Sequence, residues 1–167
     1  MLFTTKFNVS KKYIILLSLF SSIMTFAQIN TQKSKTMNDI IKFNEVSQFG
    51  YSEYVEIDLG TSKMLILSGQ LALDAYGNTV GLGNFEQQAE YIFSSIKKIL
   101  EKAGGSTHDI VKLNNYFTDI SNLPLYRIIR NKYINTVKPP AQTSVEVKQL
   151  FRKDVLLEVE ITAIIKK

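Results

Sequence analysis

The chain has no cysteine and a single histidine among its 167 residues. Without thiols there is no disulfide, no zinc–thiolate site, no thiol nucleophile and no lipid-modified N-terminal cysteine. His108, beside Asp109 in a loop, cannot build a histidine-based metal cluster alone. For the same reason Ser68 and Ser144 have no partner base for a triad. The stretch "GNTVGLGN" has glycines but lacks the lysine of a phosphate loop and any aromatic on which a base could stack. No histidine-based or thiolate-based metal site is expected.

What is present divides in two. Lys6, Lys11 and Lys12 precede the apolar run "YIILLSLFSSIMTF", and Thr25 and Ala27 are the small residues around its end. This basic–apolar–small order predicts a signal peptide over residues 1–27, cleaved after Ala27, and a periplasmic or secreted protein. The apolar run is shorter than the roughly 20 residues that cross a bilayer, so no stable membrane association is expected after cleavage. The leader's three lysines account for three of the five net positive charges. The remainder is near neutral, which gives no electrostatic case for nucleic acid.

After a linker or strand over residues 28–49, period-two alternation begins. In "YVEIDLG" Val55, Ile57 and Leu59 share one face, and Tyr54, Glu56 and Asp58 the other. "KMLILSGQ" is a second strand, and "DAYGNT" supplies turn chemistry after it. Asn84 caps a long helix with Ala89, Ile92, Phe93, Ile96, Ile99, Leu100 and Ala103 in one stripe, ended by Gly104-Gly105. "DIVKLNNYFTD" returns to alternation, with Val111, Leu113 and Phe117 together. A second helix from about Pro124 carries Leu125, Ile128, Ile129 and Tyr133 inward and Arg127, Arg130 and Lys132 toward solvent. "TSVEVKQL" and "DVLLEVEITAII" are the last strands.

The expected fold is an α+β sandwich, a mixed sheet with two helices on one face. The uncovered face is assigned Tyr54, Glu56, Asn114, Tyr116, Ser144, Glu146, Glu158 and Glu160. That polar, aromatic surface predicts burial by identical subunits; a solvated face is the alternative, since antiparallel sheets tolerate one.

Five segments, "FGYSEYV", "LILSGQLALDAYGN", "FEQQAEYIFSSIKKILEKAGGSTHDIVKLNNYFTD", "PPAQTSVEV" and "LLEVEITAI", resemble in order and spacing the RidA/YjgF family of imine deaminases. The resemblance covers about residues 50–165, within a RidA-like domain over 50–167. It implies a chorismate-mutase-like fold, a homotrimer with small-molecule clefts between subunits, and cofactor-free hydrolysis of a 2-imino acid to a 2-keto acid and ammonia. The family's pocket tyrosine falls on Tyr51, its S-G-Q glycine on Gly69, its C-terminal acid on Glu158, and the residues after its pocket arginine on Thr143 and Ser144.

The arginine itself falls on Gln142. Guanidinium is a charged planar fork that matches a carboxylate; an amide offers two neutral donors on one nitrogen. Losing one partner of a buried charge pair costs about 2–5 kcal/mol. A simple 2-imino acid held through its carboxylate is therefore not expected, and the substrate is neutral or differently anchored. Two functions follow: a hydrolase of a carbon–nitrogen double bond using Glu158 and Tyr51 with Gln142, Gly69, Thr143 and Ser144 around the ligand, or a non-catalytic trimer that binds a small molecule or partner in the same cleft. No basic cleft or acid–base pair is expected to support a ribonuclease.

Overall fold

A computed structural model describes residues 36–167. The candidate leader, its cleavage point and the first part of the 28–49 stretch lie outside the described residues. From Met37 onward the chain forms one compact unit. A single turn of helix, α1 (Met37–Ile40), leads into β1 (Ile41–Val46), then β2 (Ser52–Asp58) and β3 (Ser62–Leu67). Helix α2 (Phe85–Lys102), β4 (Ile110–Phe117), helix α3 (Leu123–Arg130), β5 (Ala141–Glu146) and β6 (Leu157–Lys166) follow. The six strands lie in the order β1-β2-β3-β6-β4-β5, all neighbours antiparallel except the β4–β5 pair. That parallel pair needs a crossover, and α3 supplies it.

Helix α2 follows the sequence pattern closely. Asn84 Oδ1 accepts from the Gln87 backbone N–H at 3.0 Å, which satisfies one unpaired donor of the first turn. The chain leaves the helix through Gly104 at φ +81°, where its N–H reaches the Glu101 carbonyl at 2.9 Å. All seven residues of the expected stripe are buried, packed with Leu65, Leu67, Leu113, Phe117, Val159 and Ile161 from the sheet. Burying such apolar side chains against each other stabilises the domain by about 1.5–3 kcal/mol apiece.

Four expectations about side-chain direction are corrected. Tyr54 is 7% exposed and lies in the core opposite Leu67, with Glu56 on the same face opposite Leu65. Val55 and Ile57 instead share the uncovered face with Ile66 and Met64, their cross-strand partners. Ser144 and Glu146 also turn to the helix side, because β5 pairs in parallel with Asn115 opposite Ser144 and Phe117 opposite Glu146. Thr143 and Val145 take the uncovered face, beside Asn114 and Tyr116. A register shift between Ile110 and Lys112 turns Val111 outward to 44% exposure. In α3, Ile128 is exposed, and Tyr126 with Ile129 forms the buried pair. The reason is aromatic packing: Tyr126 meets Phe117 edge-on at 5.2 Å and Phe93 at 5.8 Å between ring centroids.

One buried polar side chain organises the loop side of the core. Gln88, fully buried on α2, donates Nε2 to the carbonyls of Gly81 (3.2 Å) and Asp154 (2.9 Å) and accepts from the Leu156 N–H at 2.8 Å. It ties the loop before α2 to the segment that enters β6. Replacing Gln88 by leucine leaves those backbone groups unpaired and is expected to destabilise the domain by about 2–4 kcal/mol. Urea denaturation checks this: the midpoint should fall with an unchanged slope.

Candidate functional site

The expected site residues fall into two groups within one chain. Tyr51 stands just before β2 and is exposed; Gly69 stands just after β3. Both line an open groove of about 1160 Å³, with Ser68, Gln70, Phe49 and Phe151. Gln70 closes the end of β3 onto β6 through reciprocal backbone bonds with Val159, at 2.9 and 3.1 Å. This brings Glu158 against Gly69. A Cβ at position 69 would fall within 2.6 Å of the Glu158 carboxyl carbon, so only glycine leaves room for that carboxylate.

Glu158 and Glu160 point to the uncovered face, opposite Tyr116 and Asn114 of β4. Tyr116 Oη (3.1 Å) and Asn114 Nδ2 (3.3 Å) both donate to Glu160 Oε2. Burial first, and then the hydrogen bond and charge of Glu160, push the Tyr116 hydroxyl above its usual pKa and keep it a donor. Glu158 receives no such donor among the described residues. Burial, reinforced by the Glu160 charge, raises its pKa above the ordinary carboxylate range. Of the two acids, Glu158 is therefore the one with free lone pairs and an easily held proton.

Gln142 and Ser144 stand elsewhere. They lie on β5, two strand spacings (roughly 10 Å) from β6, and on the opposite, helix-covered face from Glu158. Gln142 Nε2 donates to Ser144 Oγ at 3.0 Å, and Ser144 Oγ also accepts from Asn115 Nδ2 at 3.2 Å. Thr143, on the uncovered face, accepts from Lys112 Nζ at 2.9 Å. No single chain can converge Glu158 and Gln142 on one small ligand.

Arg130 is the residue the sequence pattern misplaces. It is half-buried at the end of α3, its guanidinium 5.9 Å from the Tyr126 ring centre, and Nη1 donates to Gln142 Oε1. It is only partly solvated and not remote: an arginine from another element reaches the position where the family pattern places its own. The available signal was spacing, since Arg130 follows Tyr126 by four residues and shares its helix face. With Arg127 it lines a cavity of about 430 Å³ against Pro139, Pro140, Gln142 and Ser144, so a small basic cleft does exist. His108 is exposed, in a 3₁₀ turn over Thr107–Asp109. Among the described residues no three His, Asp or Glu side chains are grouped to hold a metal.

A mixed six-stranded sheet with two helices on one face is a chorismate-mutase-like α+β domain, and comparison with known proteins narrows it. The family model described as Endoribonuclease L-PSP matches residues 42–165, and the chain belongs to this RidA/YjgF family. It is 35% identical over 113 residues to a RutC family protein of Saccharolobus solfataricus, covering 68% of this chain and 85% of that one. A RutC family protein of Pyrococcus abyssi is 31% identical over 113 residues, covering 68% and 84%. Among solved structures, RidA of the Antarctic bacterium Psychrobacter sp. superposes with a TM-score of 0.57 at 32% identity, covering 68% of this chain and 86% of that one. Yeast Mmf1 superposes with a TM-score of 0.64 at 24% identity, covering 76% and 99%, which bears on the fold alone.

Proposed function

We propose that this is an exported hydrolase of an imine or enamine metabolite, working without a cofactor in clefts between the subunits of a homotrimer. Glu158 carries the reading: a carboxylate with raised pKa, without a side-chain donor among the described residues, over a glycine that only just admits it. Water adds to the imine carbon while Glu158 takes one of its protons and passes it to the nitrogen, giving a carbinolamine; Glu158 then moves the hydroxyl proton to the same nitrogen, the carbon–nitrogen bond breaks, and ammonia leaves a carbonyl product. Tyr51 offers an aromatic wall, and Gln142 and Ser144 reach the cleft from a neighbouring copy, while Thr143 lies on the other face of β5. The need for a neighbour follows from the opposite faces that Glu158 and Gln142 occupy. It also agrees with the exposed Ile66 and Val145, which share the uncovered face with Glu158, apolar side chains suited to burial by a second copy.

The purified chain without residues 1–27 tests both parts. Light scattering at micromolar concentration is expected to return three times the chain mass, and enzymatically generated imines are expected to release carbonyl product faster than in buffer. A trimer that leaves the uncatalysed rate unchanged supports the non-catalytic binding protein instead. A monomer removes the cleft.

A further inference from the structure

We infer that Arg152 is a positioning residue: it latches a hairpin flap, residues 72–80, to the loop before β6 and so fixes the width of the groove that holds Tyr51 and Gly69. The flap is a small unit of its own. Leu73 pairs antiparallel with Thr79, the Val80 N–H reaches the Ala72 carbonyl at 2.8 Å, and the Asp74 N–H reaches the Asn78 carbonyl at 2.9 Å. At its turn Asp74 Oδ1 accepts from the Tyr76 and Asn78 N–H groups at 2.9 and 2.8 Å, and Gly77 takes φ +80°. Both ends are tied down: Gln70 exchanges backbone bonds with Val159, and the Gly81 carbonyl accepts from Gln88 Nε2. Between them, Asp74, Ala75 and Gly77 line the groove.

Among the described residues the turn from Asp74 to Asn78 makes one hydrogen bond outside the hairpin, from Arg152 Nη1 to the Gly77 carbonyl at 2.6 Å. The same guanidinium is held as a fork: Nε donates to Asp154 Oδ1 at 3.0 Å and Nη2 to Asp154 Oδ2 at 2.6 Å. Nη2 also donates to Thr79 Oγ1 at 3.1 Å, and that hydroxyl donates to Asp154 Oδ2. The next residue back, Phe151, lines the groove as well. A planar guanidinium with all three nitrogens engaged has little freedom, so it sets how far the flap stands from the loop of Phe151. Every one of these bonds lies inside one chain and does not depend on what a neighbouring copy brings to the cleft. Lys102, the groove's other cation, is paired with Glu45 at 2.6 Å. With both cations engaged and Phe49, Tyr51 and Phe151 exposed in the lining, the groove's own side chains favour a flat ligand without negative charge.

This rests on the hydrolase reading only in taking the groove as part of its cleft, so the test reads binding and loop protection, not turnover. Benzamide, planar and uncharged, is titrated into the purified chain without residues 1–27 while amide resonances and their hydrogen exchange are followed. Wild type is expected to show saturable shifts at Tyr51, Gly69 and residues 73–77. In Arg152→Ala, exchange over residues 72–80 should quicken by ~10-fold or more while α2 is unchanged, as expected for lost charge-assisted hydrogen bonds. Benzamide affinity should fall by ~10-fold in the same variant, because the ligand must then order the flap itself. Arg152→Lys keeps the charge without the fork, guards against a variant that folds poorly, and should fall between the two. Wild type that does not bind benzamide, or flap exchange in Arg152→Ala like that of wild type, would overturn the inference. So would faster flap exchange with unchanged affinity, which makes the latch merely structural, or faster exchange throughout α2 in both variants. Benzamide binding that needs Arg152 in a protein that turns over no imine would count against the hydrolase reading and leave the latch standing.

Discussion

Glu158→Ala is expected to lower imine turnover by about 10²–10⁴-fold, the range for loss of a general acid–base group. Mass in solution should stay that of wild type, which separates lost chemistry from lost assembly. Since its folded pKa lies above the usual glutamate value, wild-type turnover should fall as pH drops through that raised value, where the carboxylate becomes protonated and stops accepting from water. The same shift has a stability consequence. Between the ordinary pKa near 4.5 and the raised folded value, the folded state holds more protons than the unfolded state. Stability therefore decreases as pH rises through this window and is lower above it. Glu158→Gln, which cannot ionise, should lose that decline and be more stable than wild type at neutral pH. An active Glu158→Ala protein with an unshifted pH profile would refute the assigned role.

Tyr126→Ala is expected to be the most damaging core change. The ring is fully buried between Phe93 and Phe117, and removing it should cost about 3–5 kcal/mol in transfer and cavity terms. Its hydroxyl donates to Asn115 Oδ1, and Asn115 is 1% exposed, so the deletion also leaves a buried acceptor unpaired. Tyr126→Phe isolates that second effect and should cost about 1–3 kcal/mol. Burial pushes the Tyr126 hydroxyl well above its usual pKa, so it remains a donor across the range in which a protein can be studied. Thermal and urea unfolding at one fixed protein concentration should rank wild type, Tyr126→Phe and Tyr126→Ala in that order. A Tyr126→Phe protein as stable as wild type would show the buried hydrogen bond to be neutral.

Helix α2 could be read from the chain because every cue is local. Its cap, its 3.6-residue stripe and its terminal glycines each act within a turn or two of the residues that encode them. Glu158 and Glu160 were also placed correctly on one face of β6, since strict alternation fixes which residues share a side. Alternation does not say which side is covered. Tyr54 and Val55 fit either face by pattern, and only pairing with Leu67 and Ile66 sent Tyr54 inward. In β5 the stretch from Ala141 to Glu146 has almost no apolar contrast, so its faces were set entirely by its parallel register against β4.

Sequence alone determined the family, the bounds of α2 and the chemistry available: one histidine, no thiol, two neighbouring acids, and glutamine at position 142. Tertiary structure decided that Glu158 and Gln142 face opposite ways and that Arg130 stands at Gln142. Charge lost at one position can be supplied from any element that comes near, and nearness across a parallel crossover is fixed by strand register and helix rotation, which no local pattern records.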